Sequence, residues 1–158
     1  MDEKKFLALL QKRREGRCNH FPELVDMPLN KENREDIITY RLEKAYDTMI
    51  QVNEIVKLGY WNLVANRLYY ATYYACCALL IKNGIETSTH KGVINQIGQM
   101  FVRSGLLPVE DAKLLAKLFS MRQSGDYDDL FDWGEEDVLP LISKVEDFIG
   151  RIHKLIIK

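Results

Sequence analysis

The fold of this chain is decided by residues 61–81, WNLVANRLYYATYYACCALLI. Seventeen of these 21 residues are apolar or aromatic, and the exceptions are Asn62, Asn66, Arg67 and Thr72. A helix that is apolar almost all round has no solvated face, so neighbouring helices or a second subunit must surround it. The uninterrupted part after Arg67 is shorter than the about 20 residues that a bilayer requires, and its tyrosines suit a protein interior. We therefore expect a buried central helix that does not span a membrane.

Helical periodicity also precedes this segment. Apolar residues recur at spacings of three and four along one stripe from Ile38 to Val56. This helix is predicted to begin behind a capping Asn30 and to end before Gly59, and Asn83-Gly84 ends the central helix in the same way. Because the connection at Gly59 is short, the two helices should lie antiparallel.

Three further helices are predicted after the central one. The third begins at His90 behind a capping Ser88 or Thr89, and its predicted buried side consists of Val93, Ile94, Ile97, Met100 and Phe101. Pro108 marks the start of the fourth, and the fifth runs from about Glu135 to the C-terminus. We expect an all-α, up-and-down bundle of four to five helices, paired with a second copy through leftover apolar surface.

The composition fits one cytoplasmic domain. The chain has 158 residues and a formal net charge of −1, so any nucleic-acid binding must come from a local patch. Its three cysteines are odd in number and lack CxxC spacing, which favours a reducing compartment. The N-terminus lacks the apolar core of a signal peptide. We expect an N-terminal arm and loop over residues 1–30 and a helical bundle over residues 31–158.

Motifs of the common enzyme classes are absent from the sequence. It contains no phosphate-binding GxxxxGK[ST] loop, no GxGxxG, no HExxH and no GxSxG. The three histidines belong to different elements, so we expect neither a metal site nor a cofactor. What remains is a set of polar and aromatic residues that could form one site: Arg67, Tyr70, Tyr74, His90, Arg122, Asp126 and Tyr127.

Three segments resemble one known family in their order and spacing. They are NRLYYATYYACCALL at residues 66–80, THKGVINQIGQMFVRSGLLP at residues 89–108, and LFSMRQSGDYD at residues 118–128. Over roughly residues 35–150 the chain resembles the HEPN superfamily of small, dimeric, all-helical bundles. It is most similar to the prokaryotic branch in which NRxYYA, TH-x-G and R-x-x-x-D-Y motifs follow one another.

The resemblance implies a nucleotide- or RNA-associated homodimer of a toxin–antitoxin-like or stress-response module. Many HEPN proteins are metal-independent endoribonucleases paired with a nucleotidyltransferase-type antitoxin. Their motif is an arginine followed after four to six residues by a histidine. The arginine holds the scissile phosphate, and the histidine exchanges protons with the ribose 2′-hydroxyl or the leaving oxygen. The catalytic candidates are then Arg122, His90 and Tyr127. The candidates for RNA or nucleotide binding are Arg122, Asp126, Arg67, Tyr70 and Tyr74.

The sequence departs from this motif after Arg122. Tyr127, Asp128 and Asp129 stand where the histidine is expected. Tyrosine, with a reference pKa of about 10, is a poor base near neutrality, and carboxylates repel phosphate. His90 can replace the missing histidine only where the fold places it nearby.

Two interpretations of Arg122 therefore stay open. Either it pairs with Asp126 or with another acidic residue of the 126–132 loop and ties the helix end to the bundle, with Arg67 as internal scaffold, or it contacts phosphate or a nucleotide. A second function hypothesis is a non-catalytic interaction module that binds a partner nucleotidyltransferase. The resemblance implies that a tyrosine close to the arginine motif can accept a transferred nucleotide, and Tyr127 loosely resembles that tyrosine.

Overall fold

The computed structural model of the protein describes residues 33–127 and 132–158. Its helices in these ranges are α1 (Arg34–Val56), α2 (Trp61–Lys82), α3 (His90–Ile97), α4 (Val109–Tyr127), the single-turn α5 (Glu135–Val138) and α6 (Leu141–Ile157). The predicted all-α bundle is confirmed. No helix in these two ranges is long and apolar enough to cross a membrane. The predicted arm and loop, residues 1–30, and the Asn30 cap lie outside the described residues.

The central position of α2 agrees with its sequence. It packs against α1, α3, α4 and α6, and Leu68 and Ala75 are among its residues with no exposed surface. The predicted glycine ends are confirmed, because Gly59 and Gly84 have φ angles of 72° and 69°. These angles lie in the left-handed region that glycine adopts without a steric penalty. The tight turn at Gly59 lets α1 run back along α2.

The third helix differs from its prediction after Ile97. The chain continues as a π-helical turn over Gly98–Val102, which changes the phase of the side chains relative to a regular α-helix. Met100, predicted to be buried, is 49% exposed, whereas Phe101 is 4% exposed. At the other end, Thr89 forms the cap, because its Oγ1 accepts a hydrogen bond from the Gly92 N–H at 2.9 Å.

The predicted fifth helix is interrupted at Pro140. α5 ends at Val138 and α6 begins at Leu141. Proline has no backbone N–H to donate to the preceding turn, and its ring clashes with that turn, so a continuous helix is disfavoured here. The prediction of one unbroken helix from Glu135 was therefore wrong. α6 still buries an apolar face that includes Val145 and Phe148.

An ion pair joins the start of α4 to α6. Arg151 Nε and Nη2 donate to Asp111 Oδ2 and Oδ1 at 2.9 and 2.6 Å. The side chain of Asp111 is 2% exposed and that of Arg151 is 41% exposed. The hydrogen bonds to Asp111 raise the pKa of Arg151 above its usual value. A buried carboxylate is thus neutralised by a cation that also reaches solvent.

Candidate functional site

One stripe of α2 stays partly exposed along the bundle. Its members recur every three or four positions and are only half-buried: Asn66, Arg67, Tyr70, Tyr73, Tyr74, Cys77 and Ile81. This periodicity places them on a single face of the helix. The C-terminal end of α4 and the first residue of α3 contact this face, and together they form the candidate site.

Arg122 is the cation at the end of α4. Its Nε donates to Asp126 Oδ2 at 3.1 Å, and its Nη2 lies 3.4 Å from Tyr127 Oη. The Arg122 side chain is 13% exposed and that of Asp126 is 27% exposed. Arg122 Cζ lies 5.4 Å from the ring centroid of Tyr70 and 5.9 Å from that of Tyr69, within the range of cation–π attraction. The guanidinium is therefore held at the edge of the bundle by the Asp126 carboxylate and several rings.

Asn66 connects this ion pair to Arg67. Asn66 Nδ2 donates to the two carboxylate oxygens of Asp126 at 3.0 and 2.8 Å. Its Oδ1 accepts from Arg67 Nε and Nη2 at 3.0 and 2.6 Å. The guanidinium of Arg67 also lies 5.2 Å from the Tyr70 ring centroid. We call these linked residues, Asn66, Arg67, Arg122, Asp126 and Tyr127, the Arg122 cluster.

His90, the first residue of α3, lies on the other side of Tyr69. Its Nδ1 is 2.7 Å from Tyr69 Oη, and its ring centroid is 4.5 Å from that of Tyr73. Burial raises the pKa of Tyr69 above its usual range, so the phenol stays protonated. Burial lowers the pKa of His90, and the positive charge of Arg122 lowers it further. Both effects favour the neutral imidazole of His90 over its cation.

The bond between His90 and Tyr69 can form with either ring tautomer. When His90 Nδ1–H donates to the Tyr69 oxygen, Nε2 carries a lone pair and can accept a proton. When Tyr69 donates to Nδ1, the ring proton lies on Nε2 instead. Among the described residues no hydrogen bond joins Arg122 directly to His90. Tyr69 separates them, with its ring centroid 5.7 Å from that of His90.

The structure brings most of the candidate residues together. The contacts described above link five of them: Arg67, Tyr70, Arg122, Asp126 and Tyr127. His90 joins them through Tyr69 and through an edge-to-face contact with Tyr70, with 6.1 Å between the ring centroids. Tyr74 lies further along α2, although its ring centroid is 5.9 Å from that of Tyr70. Its ring instead faces two cations of α1, with Lys44 Nζ at 5.0 Å and Arg41 Cζ at 5.9 Å from the centroid.

Two residues of this site were missing from the sequence-based set. Asn66 joins the two arginines through Asp126, and Tyr69 joins His90 to the site. Both stand in the NRLYYA segment, and Asn66 is one of the few polar residues in an otherwise apolar helix. This polarity was the available signal for Asn66. In the described part of the chain, no group of three or more His, Cys, Asp and Glu side chains is arranged to hold a metal ion.

Comparison with known proteins gives consistent matches over the bundle. A family model described as "HEPN domain" matches residues 38–155. A "UPF0332 protein" of Thermotoga maritima is 34% identical over 123 residues, which cover 78% of this chain and 93% of the relative. "Putative toxin MJ0605" of Methanocaldococcus jannaschii is 28% identical over 126 residues, covering 80% of this chain and 92% of the relative. "Putative toxin MJ0142" of the same organism is 25% identical over 116 residues, covering 73% and 79%.

Proposed function

The chain belongs to the HEPN family, and we propose that it is a nucleotide- or RNA-binding component of a toxin–antitoxin-like or stress-response module, acting as a cytoplasmic homodimer. Similarity to two proteins whose names contain the word toxin supports the kind of module. The observation that carries the binding proposal is the position of Arg122. Its guanidinium is partly exposed, lies against tyrosine rings and, among the described residues, has one short bond to a carboxylate.

Arg122 is the phosphate-binding residue in this proposal. A phosphate oxygen is a stronger acceptor for Nη2 than the Tyr127 hydroxyl at 3.4 Å, because a charge-assisted hydrogen bond is shorter and stronger than a neutral one. The rings of Tyr70 and Tyr127 lie beside the guanidinium and offer faces on which bases can stack. Arg67 adds a second cation to the same cluster. A single-stranded RNA segment fits this combination of charge and aromatic surface.

His90 is the proton-transfer group in the ribonuclease form of the proposal. Its neutral ring accepts the proton of a ribose 2′-hydroxyl, whose oxygen attacks the adjacent phosphorus. The bond to the 5′-oxygen then breaks, the leaving oxygen takes up a proton, and a 2′,3′-cyclic phosphate remains. Arg122 stabilises the additional negative charge on the phosphate. His90 would thereby replace, from α3, the histidine that is missing after Arg122.

The test is RNA cleavage and RNA binding by the purified protein beside Arg122→Ala. We expect the substitution to reduce cleavage by about 10²-fold or more, the usual effect of removing one group that stabilises transition-state charge. His90→Gln should reduce cleavage while leaving RNA affinity nearly unchanged. Arg103→Ala is the matched control, because Arg103 is exposed and lies outside the Arg122 cluster. Equal background cleavage by the wild type and Arg122→Ala would remove the ribonuclease form.

The exposure of Tyr127 favours a second function, that of an interaction module for a partner nucleotidyltransferase. The residue is 74% exposed, and its hydroxyl lies beside the Arg122 guanidinium. In this role Tyr127 Oη attacks the α-phosphorus of a nucleoside triphosphate held by the partner, pyrophosphate leaves, and the phenolic proton goes to solvent. Co-purification with the partner followed by intact-mass analysis should show one added nucleotide, which Tyr127→Phe abolishes. A lone, unmodified homodimer would contradict this function.

A further inference from the structure

A cleft outside the Arg122 cluster lies between α1, the C-terminal half of α2 and the loop that leads to α3. Its volume is about 450 Å³. An apolar wall is formed by Leu80, Ile81 and Ile85, and the polar residues that line the cleft are Arg41, Tyr73, Cys77, Glu86, Thr87 and Ser88. Sites for small molecules typically have this size and combine apolar walls with a few polar groups.

Arg41 gives this cleft a cation that has no ion-pair partner in the part of the chain that the structure describes. Within residues 33–127 and 132–158 no carboxylate forms an ion pair with it, and its buried Nε has no hydrogen-bond partner. Burial raises the pKa of Tyr73 and of Cys77, and the positive charge of Arg41 opposes both shifts. The Arg41 charge therefore acts on the cleft wall itself. The Arg41 guanidinium also lies near the Tyr74 ring, with Cζ 5.9 Å from the centroid.

Arg34 extends the positive charge along the same side of α1. It precedes Arg41 by seven residues, two helical turns or about 10 Å, and its Nε is likewise buried without a hydrogen-bond partner. A smaller cleft lined by Arg34 shares Ile81, Ile85 and Glu86 with the larger one. Among the described residues that line the two clefts, two arginines thus stand against one carboxylate, so the local charge favours an anionic ligand.

We propose that this cleft binds a small organic anion, a molecule with an apolar or aromatic body and a terminal phosphate or carboxylate. The anionic group accepts hydrogen bonds from the terminal nitrogens of Arg41, since a guanidinium presents paired donors that match either anion. The body packs against Leu80, Ile81 and Ile85. The hydroxyls of Thr87 and Ser88 donate to the ligand, and Glu86 accepts from a hydroxyl or amine on it. This site does not depend on RNA binding at Arg122.

The test is an NMR titration of the whole chain with three probes of similar size, phenyl phosphate, benzoate and uncharged phenol. We expect at least one anion to give saturable shifts at the methyl groups of Leu80, Ile81 and Ile85 and at the amides of Thr87 and Ser88. Phenol at the same concentrations should give no saturable shift. The relative affinities of phenyl phosphate and benzoate identify the preferred anionic group.

Arg41→Gln should lower the affinity for the anion by about tenfold or more, the effect of losing a hydrogen bond to a charged group. Arg103→Gln, a change of the same kind outside the cleft, should leave the affinity unchanged. The spectrum itself shows whether Arg41→Gln is folded. If it is not, Arg34→Gln and Arg41→Lys replace it, and both should weaken binding because they remove a neighbouring charge or the planar donor pair.

The inference is overturned if neither anion gives saturable shifts at the cleft, if phenol binds equally well, or if Arg41→Gln binds as the wild type does. Shifts confined to the Arg122 cluster and lost in Arg122→Gln would also overturn it, while supporting phosphate binding at Arg122. The inference would also be overturned if the NMR signals of the cleft residues shifted with protein concentration in the absence of any probe, because a second copy of the chain would then fill the cleft.

Discussion

α4 takes part in an arginine–carboxylate pair near each of its ends. The two pairs differ in the number of hydrogen bonds between the guanidinium and the carboxylate. Asp111 is buried and receives two short bonds from Arg151, a residue of another helix. Arg122 makes a single 3.1 Å bond to Asp126, one turn further along the same helix. The first pair fastens α6 to α4. The second holds a cation in position, and within residues 33–127 and 132–158 part of its donor capacity makes no short hydrogen bond, as a binding site requires.

The surroundings of the Arg122 pair also suit a binding site better than those of the Asp111 pair. Aromatic rings lie against the guanidinium of Arg122, with the centroids of Tyr69, Tyr70 and Tyr127 within 6 Å of its Cζ. Its carboxylate partner is shared with an amide, Asn66. The cation is thus attracted by several weak partners at once. A phosphate can replace one of them without leaving a buried charge unpaired, which is not true of the Asp111 pair.

The largest expected difference between the two pairs is in stability. Arg151→Ala leaves the 2%-exposed carboxylate of Asp111 without its cation, and breaking a buried pair in this way costs about 3–5 kcal/mol. Arg122→Ala leaves a carboxylate that reaches solvent and still accepts from Asn66, so the expected cost is at most about 1 kcal/mol. Urea unfolding of both variants measures the free energy of unfolding.

A double variant, Asp111→Asn with Arg151→Met, serves as the control for this difference. It removes both charges together and should recover much of the stability lost in Arg151→Ala, because no unpaired buried charge remains. An equal loss in Arg122→Ala and Arg151→Ala would show that the Arg122 pair is as structural as the other, and it would weaken the case for a binding site.

The next effect is on RNA affinity. Asp126→Asn removes the carboxylate that competes with phosphate for Arg122, while the amide can still bond to Asn66. We expect the affinity for a labelled single-stranded RNA to rise by about three- to tenfold in fluorescence anisotropy, as a neutral partner holds the cation less strongly. Asp147→Asn is the matched control beside Arg151 and should have no effect. Weaker binding by Asp126→Asn would mean that Asp126 is needed to hold Arg122 in its binding position.

The fold was predictable because a helix that buries one face has apolar residues at every third or fourth position of its sequence. The stripe of α1 and the glycine ends at Gly59 and Gly84 follow from that rule and from backbone sterics. The break at Pro140 was missed because Val138 and Leu141 keep a helical spacing of three across it. The apolar pattern therefore continues where the helical backbone hydrogen bonds are interrupted. Met100 was misplaced because a change to π-helical geometry alters the phase without altering the pattern.

The site was predictable only where its contacts are local. The spacing of four residues between Arg122 and Asp126 predicts their pairing on one helix. The link from His90 to Arg122 depends on how three helices pack, which no spacing along the chain encodes. Tyr69 was interpreted as a packing residue because a tyrosine in an apolar helix usually is one. Only the packed structure shows that its hydroxyl meets an imidazole.

A smaller effect is expected in the pH dependence of stability. The pKa of His90 is lowered in the folded protein, so below about pH 6.5 the unfolded chain binds a proton that the folded chain does not. The free energy of unfolding should therefore fall as the pH is lowered from about 7 towards 5. The slope should be shallower in His90→Gln, because this variant lacks the group. Identical slopes in urea titrations of the two proteins would show that His90 does not carry this effect.

The smallest expected effect is on the pKa of His90, which Arg122 should influence and Arg151 should not. Arg122→Gln removes a charge that lowers the pKa of His90, so NMR titration of the ring should give a higher pKa than in the wild type. The value should still lie below the reference of about 6.5, because burial is the larger cause and remains. Arg151→Gln should leave the His90 pKa unchanged, since Arg151 belongs to the other pair. An unchanged pKa in Arg122→Gln would mean that Arg122 and His90 are not electrostatically coupled, and His90 could then no longer be assigned to the same catalytic site as Arg122.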